Sequence, residues 1–177
     1  MKLSQRQSGF TLLELLLVIG VAALLLIGAI ATYRLVSDGN KATESTRLLL
    51  TLRQEMANMA QQQGGNYTGV TFNSGTSAPT SPLVTSGVLR DQQNNPFNGA
   101  IIIAPVNNTG TNDNITISFG NVSQSACVKL TQAINNPNEI VSVSVNGGAG
   151  ITTFPVTAAA ASAACTTASN TILWQLP

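Results

Sequence analysis

The pattern of hydrophobic and polar positions divides the chain into three parts. Residues 1–9 are polar, and the segment from Phe10 to Ala31 is apolar with Glu14 as its only charge. Residues 34–63 carry apolar side chains at helical spacing, and beyond residue 64 short apolar runs alternate with turns rich in Gly, Asn, Thr, Ser and Pro. This order predicts an α+β fold, in which a long N-terminal helix packs on a globular head (residues 64–177) with an antiparallel sheet.

The apolar segment is long enough to cross a membrane. From Phe10 to Tyr33 the chain has 24 residues, which as a helix extend about 36 Å and exceed the bilayer core of about 30 Å. The segment is apolar on all sides, unlike an amphipathic surface helix. We therefore expect residues 10–33 to form a transmembrane and assembly half of the helix, and residues 34–63 to form its amphipathic half.

The amphipathic half has a stripe of apolar side chains that would pack on the head. The stripe follows 4-4-3 spacing through Leu48, Leu52, Met56 and Met59, with Leu49 and Ala60 beside it. The turn-like residues 37–40 leave open whether the helix is continuous, kinked or broken there. Gly64 and Gly65 predict its end.

The head is expected to hold short elements joined by loops. Residues 66–88 predict little regular structure. We expect strands at residues 100–104, 114–119, 140–145 and 171–176, and helices at 123–134 and 158–164. The turn-rich link at 105–113 predicts that the first two strands form an antiparallel hairpin, and Ser123 is a candidate N-cap of the first helix.

Glu14 is the chemically unusual residue of the apolar segment. A carboxylate inside a membrane span costs about 2.5–3.5 kcal/mol, so such groups usually have a function and a partner. Glu14 could simply extend toward the membrane interface. Alternatively, cleavage after Gly9 would create an amino group on Phe10 that could pair with Glu14, most plausibly between neighbouring copies.

The N-terminal motif resembles a known family. Gly9-Phe10-Thr11-Leu12-Leu13-Glu14, after a short basic leader and before about twenty apolar residues, is similar to the prepilin signature of type IV pilins and type II secretion pseudopilins. The resemblance implies that a membrane peptidase removes residues 1–9 as a leader peptide, cuts after Gly9 and methylates Phe10. It also implies that Glu14 is the assembly glutamate.

The same resemblance implies a function, a location and partners. The precursor would be held in the inner membrane of a Gram-negative bacterium, where the peptidase and the pilus assembly machinery act on it. Copies would then polymerise into a helical surface pilus (fimbrium) used for adhesion, aggregation or conjugation. A minor pilin or a secretion pseudopilin would share every N-terminal feature and remains an alternative.

An ordinary secretory signal peptide is a second alternative. Ala29-Ile30-Ala31 is an A-x-A pattern at the end of an apolar stretch. The apolar run is, however, longer than the usual apolar region of 7–15 residues and contains Glu14. In this alternative the mature chain would be a secreted adhesive domain beginning at Thr32.

The head resembles one subgroup of the family. Asn94-Asn95-Pro96-Phe97-Asn98-Gly99 before a strand, Ser125 to Leu130 on a helix, and a second cysteine near the C-terminus are similar to type IVb pilins. That subgroup includes the bundle-forming, toxin-coregulated and conjugative thin-pilus subunits. In an exported chain the two cysteines, Cys127 and Cys165, are most simply one disulfide.

Composition argues against catalysis. Charged residues make up 8% of the chain and histidine is absent, so there is no His for general base work and no Ser-His-Asp set. A net charge of +1 gives no indication of nucleic acid as a partner. We expect no enzyme activity, cofactor or metal. Asp113, in Asn-Asp-Asn, could belong to a calcium loop but is better interpreted as a turn residue.

Overall fold

The computed structural model describes residues 11–177. The elements in chain order are α1 (Leu12–Gln62), β1 (Phe72–Asn73), α2 (Pro82–Thr85), β2 (Ile101–Val106), β3 (Asn114–Val122), α3 (Gln124–Thr131), β4 (Ser142–Val145), α4 (Ala158–Ala164) and β5 (Asn170–Leu176). By their contacts the residues fall into two units, Met1–Ser37 and Asp38–Pro177. The expected α+β class, with a long N-terminal helix and an antiparallel sheet, is confirmed.

Helix α1 is helical through the turn-like residues 37–40, so the sequence signal for an interruption does not break it. Its end follows the two predicted glycines. The Gly65 N–H donates to the Ala60 carbonyl oxygen at 2.7 Å, and both Gly64 and Gly65 have positive φ angles of 71° and 87°. This is the hydrogen-bond pattern of a Schellman C-cap, for which glycine is the preferred residue.

The five strands form one antiparallel sheet in the order β1-β2-β3-β5-β4. The predicted hairpin is confirmed by β2 and β3, which pair with Ile103 opposite Ile117. The C-terminal strand β5 inserts between β3 and β4, so that Trp174 lies opposite Ile117 on one side and Val143 on the other. The last strand is therefore central, and the chain's final residues help to hold the sheet together.

One face of the sheet packs against α1 within the Asp38–Pro177 unit; we call it the inner sheet face. Trp174 and Phe119 are fully buried there, with ring centroids 5.3 Å apart in an edge-to-face arrangement, a favoured geometry for aromatic pairs. Helix α1 supplies buried side chains from Leu49, Leu52, Met56 and Met59. The predicted stripe is thus largely confirmed, although Leu49 is fully buried and Leu48 only partly.

Two differences from the sequence predictions have physical reasons, and a third concerns the bounds and the cap of a helix. Residues 66–88 contain β1 and α2, which are only two and four residues long and too short for a periodic signal. Strand β2 runs through Pro105, which the sequence analysis placed in the turn-rich link at residues 105–113. Proline is tolerated there because β1 pairs with β2 only at Ile102 and Ile103, so Pro105 lies on an open edge. Helix α3 ends at Thr131 rather than 134, and Ser123 precedes it without a side-chain capping bond.

Candidate functional site

The apolar part of α1 is an exposed hydrophobic surface. Residues Leu12–Ile30 have a mean hydropathy of 2.8, and none of them is buried. Leu12, Leu24 and Ile27 expose 77%, 72% and 67% of their surface. Among residues 11–177 this is the one helix long and apolar enough to cross a membrane. Such a surface is far larger than a soluble monomer leaves in water, so it indicates a membrane or protein partner.

The start of this helix is built by Thr11 and Glu14. The Glu14 N–H donates to the Thr11 hydroxyl oxygen at 3.3 Å, and the N–H groups of Glu14 and Leu15 donate to the Thr11 carbonyl oxygen at 3.1 Å. A threonine followed three residues later by glutamate is the capping-box pattern. A carboxylate in the first turn also interacts favourably with the helix dipole.

This capping role was missed in the sequence analysis, although its signal, Thr-x-x-Glu at 11–14, was available. The observed bond uses the backbone N–H of Glu14, so the capping side chain is that of Thr11. The Glu14 side chain is exposed in the first turn of α1. Gly9 and Phe10, the predicted cleavage residues, lie outside the described residues. The pairing of Phe10 with Glu14 therefore stays a prediction.

The predicted disulfide is present in the head. Cys127 and Cys165 are bonded, with their Cα atoms 5.9 Å apart, and both are fully buried. The bond joins α3 to the residue that ends α4, so it fixes the segment between residues 127 and 165 against the core. No redox function follows, because thiol exchange requires access that these sulfur atoms lack.

Two acidic side chains of the head stabilise loops by accepting hydrogen bonds from them. The Asp113 carboxylate accepts hydrogen bonds from the N–H groups of Asn108, Thr109 and Gly110 and from the Thr109 hydroxyl, at 2.7–2.9 Å. Asp91 accepts bonds from the Ser77 hydroxyl and the Ala78 N–H. These hydrogen bonds lower the pKa of both carboxyl groups. The interpretation of Asp113 as a turn residue is confirmed.

A third acid of the head, Glu139, forms an ion pair with Arg53 of α1. Three of the five charged side chains beyond residue 65 are thus engaged in structural contacts. Within residues 11–177, no three His, Cys, Asp or Glu side chains lie close enough together to hold a metal ion. The contacts of Asp91, Asp113 and Glu139 hold parts of the head together.

Two family models match the chain and together span most of it. The model described as "PilS N terminal" matches residues 40–176, well over half of the chain. The model described as "Prokaryotic N-terminal methylation motif" matches residues 4–30. The second match covers the region of the predicted leader and Glu14, whereas the first covers the head and the amphipathic half of α1.

The chain is also similar to individual pilins. It is 27% identical over 148 residues to a toxin coregulated pilin from Vibrio cholerae, a match that covers 82% of this chain and 66% of that protein. A second toxin coregulated pilin, from the El Tor Inaba strain, is 24% identical and covered over 62% of its length. The chain thus spans slightly less than two thirds of the curated relatives it matches.

Two solved structures have the same fold. The crystal structure of TcpA, a type IV pilin from Vibrio cholerae El Tor biotype, superposes with a TM-score of 0.56 and 18% identity over 77% of this chain and 98% of that one. The crystal structure of a type IVb pilin from Salmonella typhi gives a TM-score of 0.52 and 23% identity over 77% and 97%. The fold and the family models agree, and the chain belongs to the PilS family of type IV pilins.

Proposed function

We propose that this protein is the structural subunit of a bacterial type IV pilus. Residues 1–9 are its leader, residues 10–33 the membrane and assembly half of the helix, residues 34–63 the amphipathic half, and residues 64–177 the head. Membership of the PilS family supports this function, and so does the likeness to pilins from Vibrio cholerae. A structural subunit needs no catalytic site, in agreement with the expectation that the chain is not an enzyme.

The observation that carries the proposal is the exposure of the apolar segment. No residue of Leu12–Ile30 is buried, whereas the Asp38–Pro177 unit closes its own core around α1 and the sheet. In the precursor, the inner membrane of a Gram-negative cell covers this surface. In the pilus, neighbouring copies cover it, and each Å² of apolar surface removed from water contributes about 25 cal/mol.

We assign roles to Gly9, Phe10 and Glu14 from the N-terminal motif. A prepilin peptidase cuts after Gly9 and methylates Phe10, and the pilus machinery adds the subunit to the filament. The match of the methylation-motif model to residues 4–30 supports this processing. Glu14 then pairs with the Phe10 amino group of a neighbouring copy, so that two charges that are costly alone neutralise each other in an apolar setting.

Glu14→Gln tests the assembly role. The variant keeps the shape of the side chain and loses its charge, so we expect a stable, membrane-held precursor that yields few or no filaments in sheared surface material. Glu44→Gln is the matched control, because it removes an exposed carboxylate from the same helix within the Asp38–Pro177 unit. Filament yield from Glu14→Gln equal to that of the control would overturn the assembly role.

Mass spectrometry of the mature chain tests the processing. We expect a mass that lacks residues 1–9 and carries one added methyl group. A chain beginning at Thr32 would instead show cleavage by an ordinary signal peptidase. High abundance of the mature chain in sheared filaments is expected of a major subunit, and its scarcity there would identify a minor pilin or pseudopilin.

A further inference from the structure

The sequence contains two Asn-Gly pairs, Asn98-Gly99 and Asn146-Gly147. In such a pair the glycine backbone nitrogen can attack the side-chain amide carbon of the asparagine, because glycine has no side chain to hinder the approach. A C–N bond forms, the side-chain nitrogen leaves as ammonia, and the product is a cyclic succinimide. Water then opens the ring to aspartate or isoaspartate, so the reaction needs no oxidant or reductant. The fold places the two pairs in very different surroundings.

In the Asn98-Gly99 pair the attacking nitrogen is held by the fold. Gly99 is buried, and its N–H donates to the Asn95 side-chain oxygen at 3.1 Å. It also packs closely against Gly120, whose carbonyl group a Cβ atom at position 99 would overlap. Ring closure requires this peptide to leave its hydrogen bond and to rotate within a packed position. The Asn98 side chain is exposed, but its partner in the reaction is protected.

The Asn146-Gly147 pair lies at the tip of an exposed turn that follows β4. The Gly148 N–H donates to the Val145 carbonyl oxygen at 2.9 Å, and Asn146 and Gly147 have positive φ angles of 54° and 71°, as in a type I′ turn. Both residues are exposed, and a Cβ atom added to Gly147 would meet no atom within 4 Å. Within residues 11–177 the Gly147 N–H has no backbone acceptor. The attacking nitrogen is therefore free, and its peptide has room to rotate.

The side-chain amide of Asn146 is held at both ends by the start of β5. Its Oδ1 accepts from the Thr171 N–H at 2.8 Å, and its Nδ2 donates to the Asn170 Oδ1 at 2.9 Å. Negative charge develops on the Asn146 Oδ1 during the attack, and a backbone donor placed at that oxygen stabilises it, as in an oxyanion hole. The bond from Nδ2 opposes its departure, but one hydrogen bond slows the reaction only about two- to tenfold.

We propose that Asn146 is a site of spontaneous deamidation and that the fold directs this reaction to Asn146 rather than to Asn98. The inference goes beyond the proposed pilus function and does not rest on it. Aspartate at position 146 would place an oxygen against the Oδ1 of Asn170, which is 1% exposed and would lose a donor. Isoaspartate would also lengthen the backbone of the turn. Beyond residue 65 the chain has five charged side chains, so one added carboxylate is a large change for the head.

The test compares the two asparagines in the same molecules. The full chain is incubated at mildly alkaline pH in water enriched in heavy oxygen, which labels each product as the ring opens. After reduction, trypsin cuts behind Arg90 and Lys129 and leaves the two pairs on separate peptides, 91–129 and 130–177. Fragmentation in the mass spectrometer then locates the label. We expect Asn146 of the folded chain to react at least about tenfold faster than Asn98.

The chain unfolded in denaturant is the control for intrinsic reactivity, and there the two asparagines are expected to react at similar rates. Asn146→Gln should remove the label at position 146, whereas the matched variant Asn98→Gln should leave it unchanged. Equal rates in the folded chain, or a faster reaction at Asn98, would overturn the proposal. It is also wrong if the folded chain shows no product at Asn146 under conditions in which the unfolded chain reacts.

Discussion

Gly99 lies directly against the backbone of Gly120. A Cβ atom at position 99 would overlap the Gly120 carbonyl group and lie 2.8 Å from the Cβ atom of Asn121. Asn95 holds this close approach in place through its side chain. Its Nδ2 donates to the Gly120 carbonyl oxygen at 2.7 Å, and its Oδ1 accepts from the Gly99 N–H at 3.1 Å. The contact fixes the point where the chain enters β2.

We expect Gly99→Ala to destabilise the protein by about 1–3 kcal/mol, because the added methyl group must push backbone rather than a flexible side chain. Gly110→Ala is the matched control, since its nearest neighbour would be the Asp113 Cβ atom at 3.6 Å, an ordinary contact. Urea unfolding of both variants measures the free energy of unfolding. Equal free energies of unfolding for the two variants would show that the chain leading into β2 can shift with no loss of stability.

Loss of the disulfide should be costly. The two cysteines are 38 positions apart in the sequence, and closing a loop of that length stabilises a fold by about 4 kcal/mol in the chain-entropy treatment. We expect the double variant Cys127→Ala/Cys165→Ala to lose most of that amount, measured by denaturant unfolding. The wild-type chain unfolded with and without reductant is the control. No change in the denaturation midpoint on reduction would contradict the prediction.

Asp113 should make stability depend on pH at the acidic end. Hydrogen bonds from Asn108 and Thr109 lower the pKa of Asp113 in the folded state, below the value of about 3.9 for an unperturbed aspartate. Its contribution is thus complete above about pH 4 and is lost as the pH falls through the folded-state pKa. We expect Asp113→Asn to be less stable than wild type at pH 7, with the difference shrinking below about pH 4.

Thermal unfolding between pH 2 and pH 7 measures this difference. Glu44→Gln is the control, because it removes an exposed carboxylate for which the structure shows no comparable set of backbone donors. If the difference in unfolding temperature between wild type and Asp113→Asn stays constant across the whole pH range, the loop does not depend on the ionised Asp113 carboxylate.

The ion pair between Arg53 and Glu139 should contribute little. Its side chains are 25% and 39% exposed, and pairs open to solvent typically couple by about 0.2–1 kcal/mol. A double-mutant cycle with Arg53→Met and Glu139→Gln isolates the coupling energy from the other contacts of each residue. A coupling well above this range would identify the pair as a main link between α1 and the segment before β4.

The sequence predicted the elements whose signal is local and missed those set by distant partners. α4 and β5 are predicted correctly because a run of alanines and the short apolar run from Thr171 to Leu176 are sufficient signals. β1 was missed because two residues become a strand only by pairing with Ile102 and Ile103. Pro105 was misplaced because nothing in its neighbourhood shows that β2 has an open edge there.

The residues of the candidate site can also be divided into those with a local sequence signal and those whose contacts depend on distant parts of the chain. Glu14 was recognised from its charge within an apolar run, and the cysteines were paired because two thiols in an exported chain have few alternatives. The hydrogen-bond donors around Asp113 could not be predicted, because they meet only where the loop between β2 and β3 folds back on its carboxylate.

The bond between Thr11 and Glu14 has a consequence for maturation. Both residues follow the proposed cleavage point, so removal of residues 1–9 would leave the nucleating turn of the helix on the product. In the proposed processing, cleavage would therefore change the charges at the start of α1 while keeping the hydrogen-bonded turn that begins it.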